Sequence, residues 1–83
     1  MSSLPPNWEM VEGIKIRKTF TFESFPKAIA FVNKVALLAE GFQHHPDIQV
    51  NYTKVTIELT THSMKSLTEK DFAMASKIEH MVQ

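Results

Sequence analysis

The chain has 83 residues, which is room for one domain built around a single hydrophobic core. Nine basic residues balance nine acidic ones, so no net charge attracts nucleic acid or an anionic membrane, and neither is expected as a partner. The lack of cysteine excludes disulfides, thiol nucleophiles and cysteine-bound zinc. Residues 1–7 are polar and proline-containing, unlike a signal peptide, and are expected to be loose. Because no apolar run could span a bilayer, a cytoplasmic location is predicted.

The first half of the chain predicts a hairpin followed by a helix. Residues 8–11 form a short candidate strand, a glycine provides a turn, and residues 14–22 alternate apolar and polar side chains as a second strand does. Ser24 suits the N-cap of a helix that is expected to run to about Glu40, with Gly41 as its stop. Apolar side chains beyond one narrow face of this helix predict either deep burial or a subunit contact. They are Ile29, Ala36 and Leu37.

The second half predicts another hairpin and a closing helix. Residues 42–46 lack periodicity and are expected to form a loop, whereas residues 48–52 and 54–61 alternate as two strands that turn near Thr53. Residues 68–71 resemble a capping box with aspartate in place of glutamate. The apolar face of the helix that follows is predicted to contain Phe72, Ala75, Ile78 and Val82.

The element order β-β-α-β-β-α, with half-polar strands, predicts a two-layer α+β domain spanning residues 1–83. Its four-stranded antiparallel sheet is expected to have both helices packed on one face.

Three of the four histidines lie at the ends of these elements, His44 and His45 before the third strand and His62 after the fourth. In an antiparallel hairpin the start of one strand lies beside the end of the next, so His62 is expected to return close to the other two. Imidazole suits proton transfer near neutral pH because its unperturbed pKa is about 6.5. A structural role and a zinc site remain open, with metal ranked below cofactor-free acid–base chemistry because a helical His-x-x-x-His spacing is lacking.

Three other polar residues have structural interpretations. His80, late in the last helix, is expected to be solvated. Asp71 is interpreted as a helix-start residue rather than a catalyst. Glu40 is interpreted as ending the first helix in water, one turn before the histidines.

The spacing of these residues resembles the signature of the pterin-4a-carbinolamine dehydratase family. The run 40–46, EGFQHHP, is followed after five residues by Tyr52, after nine more by His62 and after eight more by Asp71. The likeness extends over residues 8–82. A bare His-His-Pro would be a weak signal, whereas the full spaced set is a specific one.

The resemblance implies a reaction and the residues that perform it. A 4a-hydroxytetrahydropterin, the substrate of tetrahydrobiopterin recycling, loses water to give quinonoid dihydropterin by histidine acid–base catalysis, with neither a metal nor an organic cofactor. The implied catalytic residues are His44, His45 and His62, and His44 with His62 is the preferred acid–base pair. The implied pterin-binding residues are Glu40, His44, His45, Pro46, Thr60, Thr61, His62 and Ser63.

The resemblance also implies partners. Family members form dimers or tetramers, and a mammalian relative is also a dimerisation cofactor of a homeodomain transcription factor, so a non-enzymatic coactivator module is the alternative function. Two positions beside the implied site depart from the mammalian pattern: Gln43 replaces an aspartate and Met64 replaces a cysteine. They bear on pterin specificity more than on the reaction class.

Overall fold

The computed structural model describes residues 8–61 and 66–82, which form an antiparallel sheet with two helices on one face. In chain order the elements are β1 (Glu9–Val11), β2 (Lys15–Thr21), α1 (Phe25–Phe42), β3 (Asp47–Asn51), β4 (Lys54–Leu59) and α2 (Glu69–Met81). The strands pair in the order β1-β2-β4-β3. The predicted fold class and element order are confirmed, whereas the prediction of a loose segment at 1–7 lies outside the described residues.

Two tight turns set the register of the strands. Val11 pairs with Lys15 across a three-residue loop, in which Glu12 and Gly13 both have positive φ, 54° and 71°. The N–H of Ile14 closes this turn on the carbonyl of Val11 at 3.1 Å. The second hairpin turns at Tyr52 and Thr53, because the residues on either side of them pair with each other. Tyr52 was predicted to end a strand, which is wrong: it has φ 58° and is 72% exposed in the turn.

The core lies between the sheet and the helices. The central strand β4 contributes Val55, Ile57 and Leu59, which are fully buried. Removing an aliphatic side chain of this size from water stabilises the fold by about 1.5–3 kcal/mol. The helices contribute Ala28, Phe31, Val35, Ala39, Met74, Ala75 and Ile78.

One prediction about a helix face is wrong, and one of two alternatives is excluded for part of another face. Val82 follows the end of α2 and is 38% exposed, so it does not continue the buried stripe of that helix. Leu37 on α1 is 75% exposed and Ala36 is also exposed, so this part of the wide apolar surface is not deeply buried. The other expectation for that surface, a subunit contact, stays a prediction.

Helix α1 ends later than predicted. It passes through Gly41, and the left-handed cap falls on Gln43, with φ 53°. The N–H of Gln43 bonds to the carbonyl of Glu40, and the N–H of His44 bonds to the carbonyl of Ala39. This pair of bonds is a Schellman motif with glutamine in the position that glycine usually occupies.

Within residues 8–61 and 66–82, neither helix combines the length and the apolar content that crossing a membrane requires.

Candidate active site

His44 is placed by the end of helix α1. It is the second residue of the Schellman motif, and its N–H bond to Ala39, 3.1 Å, fixes its backbone against the last turn of the helix. Its side chain turns inward and is buried, with 8% of the residue exposed. The residue therefore has a defined position although it lies between elements.

The partner of His44 is Asp71, 27 residues further along the chain. Nε2 of His44 lies 2.5 Å from Oδ1 of Asp71, and the aspartate is fully buried. A buried carboxylate needs polar partners to offset the loss of water. Since a carboxylate only accepts hydrogen bonds, the proton in this contact belongs to Nε2, which leaves the lone pair of the neutral ring on Nδ1.

The second oxygen of Asp71 is also occupied. Oδ2 accepts hydrogen bonds from the hydroxyl of Thr61 and from the backbone N–H of Thr68, each 2.9 Å long. The Thr68 bond belongs to the capping box at the start of α2, so the predicted capping box is confirmed. The side chain of Asp71 thus caps the first turn of α2 and also contacts His44.

His45 points the other way. Its Nε2 atom lies 2.6 Å from Oε2 of Glu40, and the two side chains are 65% and 75% exposed. An exposed pair of this kind contributes about 0–1 kcal/mol to stability. The two adjacent histidines therefore differ in environment: His44 is buried on Asp71, and His45 faces solvent beside Glu40.

The structure describes three of the remaining predicted site residues, Pro46, Thr60 and Thr61. The hydroxyl of Thr60 donates to the carbonyl of Ile14 at 2.5 Å, and Pro46 is half-buried. His62 and Ser63 lie outside the described residues, so the expected approach of His62 to His44 stays a prediction. Thr61, two residues after the end of β4, does reach this place, since it bonds to the carboxylate of Asp71.

Comparison with known sequences decides the family. The sequence model described as Pterin 4 alpha carbinolamine dehydratase matches residues 1–81. The chain belongs to the pterin 4 alpha carbinolamine dehydratase family. The resemblance read from the spaced histidines is thereby confirmed.

Individual family members are similar over most of their length. A Chloroflexus aggregans protein is 49% identical over 77 residues, which cover 93% of this chain and 82% of that protein. A protein from Roseiflexus sp. strain RS-1 is 54% identical over 71 residues, 86% of this chain and 76% of the other. The names of both provisionally assign them as pterin-4-alpha-carbinolamine dehydratases.

A solved structure agrees in fold. The crystal structure of the transcriptional coactivator/pterin dehydratase from Brucella melitensis superposes with a TM-score of 0.88 at 35% sequence identity. The match covers 94% of this chain and 84% of the Brucella chain.

Asp71 does more than the helix-start role that the sequence predicts for it, since its carboxylate also contacts His44. Its place in the family signature is one signal of this. A second signal is its spacing: Met74, Ala75 and Ile78 follow Asp71 by three, four and seven residues, which puts all four on one face of α2. All four are buried in the structure. An aspartate in a core position requires a buried partner, and His44 supplies it.

The zinc alternative depends on a residue beyond the described ranges. Within residues 8–61 and 66–82, no three histidine, aspartate or glutamate side chains come together as a metal ion requires. His62 lies outside those ranges, so metal analysis of protein purified without an affinity tag is the test of that alternative.

Proposed function

We propose that this chain dehydrates 4a-hydroxytetrahydrobiopterin to quinonoid dihydropterin in tetrahydrobiopterin recycling, using histidines as general acid and base. Membership of the dehydratase family and the provisional names of relatives about 50% identical support the reaction. The observation that carries the mechanism is the buried contact between His44 and Asp71.

The reaction needs two proton transfers and nothing else. One proton is added to the 4a hydroxyl, which leaves as water with the electrons of its C–O bond. A second proton leaves the ring nitrogen system, whose electrons form the new double bond. General acid and general base catalysis by positioned side chains each contribute about 10²–10⁴-fold.

His44 is suited to the role of general base. With the Nε2 proton held by Asp71, Nδ1 carries the lone pair that can accept a proton from the substrate. The carboxylate then stabilises the imidazolium that forms, as the aspartate does in a Ser-His-Asp triad. We assign the general acid role to His62, which is the other member of the pair implied by the sequence.

The exposed pair of His45 and Glu40 suits substrate binding rather than proton transfer. Its polar groups are open to solvent next to the buried His44, where a polar heterocycle could reach them. Pro46, Thr60 and Ser63 remain the other proposed pterin contacts, whereas the hydroxyl of Thr61 bonds to Asp71. A cytoplasmic location and the absence of a cofactor remain predictions from the sequence.

The test is a dehydration assay. Synthetic 4a-hydroxytetrahydropterin is generated in solution, and its decay is followed with and without the purified chain. We expect the chain to accelerate the decay and the variant His62→Ala to lose most of that acceleration. A wild-type rate equal to the rate in buffer would contradict the proposal.

The name of the Brucella structure also favours a second function, as a transcriptional coactivator. Such a module would bind a partner protein through its surface and would not need the histidines. A stable complex that survives replacement of His44, His45 and His62 would identify this function, and loss of the complex in that triple variant would count against it.

We propose, finally, that the chain forms a homo-oligomer, a dimer or a tetramer. Leu37 lies on the face of α1 opposite its buried residues and is 75% exposed, and Phe25, in the first turn, is 46% exposed. Apolar side chains of this size are typical of a surface that a subunit covers.

A further inference from the structure

The buried carboxylate of Asp71 is held from separate segments of the chain. His44 bonds to Oδ1, whereas Thr61 and Thr68 bond to Oδ2. The Thr68 N–H belongs to the cap of α2 itself, so that bond keeps the carboxylate on its own helix. The Thr61 hydroxyl, in contrast, ties the carboxylate to the segment just after β4, ten residues before Asp71 in the chain.

The number of protons that each group can donate fixes the direction of each hydrogen bond. A threonine hydroxyl has one proton, and Asp71 can only accept, so the Thr61 proton points at Oδ2. Oγ1 of Thr61 also lies 2.7 Å from Oγ1 of Thr68. Because the Thr61 proton is already used, Thr68 is the donor in that contact. The hydroxyls therefore form a chain that runs from Thr68 through Thr61 to Asp71.

We infer that Thr61 is a positioning residue for His44 and acts through Asp71. The terminal side-chain torsion of aspartate is broad, so a carboxylate anchored only to its own helix has freedom to rotate. A second donor, from the segment that follows β4, restricts that rotation and aims Oδ1 at Nε2 of His44. The aimed carboxylate selects the Nε2-protonated tautomer, which leaves Nδ1 as the basic nitrogen.

The inference differs from the role that the family resemblance implies for Thr61, which is direct contact with the pterin. A lost substrate contact that is equal in the ground and transition states raises KM and leaves kcat unchanged. A misdirected base lowers kcat instead. The kinetic consequence rests on the proposed function, whereas the tautomer of His44 can be measured whether or not the chain is a dehydratase.

The experiment compares three variants by dehydration kinetics and by ¹⁵N NMR of the histidine rings. Thr61→Val removes the hydroxyl at constant volume, and Thr61→Ser keeps it. Thr56→Val is the matched control, because Thr56 lies on β4 but its hydroxyl contacts Thr19 at 2.9 Å, away from Asp71.

We expect Thr61→Val to lower kcat about 10-fold with little change in KM, as the loss of one hydrogen bond to a charged group predicts. His44 should be protonated at Nε2 in the wild type and should populate both tautomers in Thr61→Val. Thr61→Ser should restore the wild-type kcat and tautomer, and Thr56→Val should match the wild type in both measurements.

Three results would overturn the inference. The first is a raised KM with an unchanged kcat in Thr61→Val, and the second is an unchanged His44 tautomer in that variant. The third is wild-type His44 protonated at Nδ1, which needs no variant and so does not depend on how Thr61→Val folds. If the tautomer shifts as expected but the wild type does not accelerate dehydration, the positioning role stands and the proposed function fails.

Discussion

Nε2 of His44 lies 2.5 Å from Oδ1 of Asp71, and both residues are buried. The contact joins the end of helix α1 to the start of helix α2, and it fixes which ring nitrogen of His44 is free to accept a proton. The first prediction concerns the substitution Asp71→Asn, which keeps the size of the side chain and removes its charge. The amide can donate to Nε2, which shifts the ring proton to Nδ1, so we expect dehydration to fall by about 10²–10⁴-fold.

The control for that substitution is Asp47→Asn. Asp47 is an exposed residue at the start of β3, and its replacement should leave the rate unchanged. Circular dichroism on both variants establishes that they are folded. A wild-type kcat in Asp71→Asn would show that the carboxylate has no part in catalysis.

The second prediction concerns the left-handed residue at the end of α1. A non-glycine residue with φ near 53° carries about 1–2 kcal/mol of strain, whereas glycine costs about 0.5–1 kcal/mol in chain entropy. Gln43→Gly should therefore raise the free energy of unfolding by about 0.5–1 kcal/mol, measured by urea denaturation. Asn33→Gly, in the middle of the same helix, should lower it. Equal destabilisation by both substitutions would contradict this explanation of the cap.

The third prediction concerns Glu79, which accepts a hydrogen bond from the indole of Trp8. Oε1 of Glu79 accepts from Nε1 of Trp8 at 2.9 Å and also bonds to the ammonium of Lys18. The side chains of Lys18 and Glu79 are 15% and 19% exposed, so removing one leaves the other charge poorly solvated. Glu79→Ala should lower the free energy of unfolding by about 2 kcal/mol or more.

An exposed ion pair provides the comparison for Glu79. Glu23 lies 3.5 Å from Lys27, and both side chains are largely solvated. Glu23→Ala should change the free energy of unfolding by less than about 0.5 kcal/mol. A similar loss in the two variants would mean that burial does not strengthen the Glu79 contacts.

The fourth prediction concerns assembly. If a subunit covers the outer face of α1, Leu37→Glu should lower the mass of the oligomer measured by analytical ultracentrifugation. The substitution replaces an apolar contact worth about 1.5–3 kcal/mol per side chain with a buried charge. Tyr52→Glu alters a side chain of similar exposure, 72%, in the second hairpin turn, and should leave the mass unchanged. A monomeric wild type would remove the basis for the proposal.

The elements were predictable from the sequence because their signals are local. The alternation in β2 and β4 follows from burial of one face of a sheet, and the Ser24 cap and the capping box at Asp71 follow from hydrogen bonds within four residues. The end of α1 was not predictable in the same way. Gln43 has little intrinsic preference for a left-handed conformation, and Gly41 offered a more conventional stop two residues earlier.

The site was predictable only in part, since its central contact joins residues distant in sequence. Spacing pointed to His44, but pattern alone gave no means of telling that His44 turns inward to Asp71 while His45 turns outward to Glu40. The decisive constraint is tertiary: Asp71 occupies a core position of α2 and needs a buried donor. The role of Thr61 could not be predicted from pattern either, because its partner, Asp71, lies on another element.

The most direct test of the central claim is the rate of decay of synthetic 4a-hydroxytetrahydropterin with the wild type, with His44→Gln and with His80→Gln. His80 is an exposed histidine in the last turn of α2, so its replacement controls for the loss of an imidazole outside the site. We predict acceleration by the wild type and by His80→Gln, and a rate about 10²–10⁴-fold lower with His44→Gln. Wild-type activity in His44→Gln, or no acceleration by the wild type over buffer, would contradict the account.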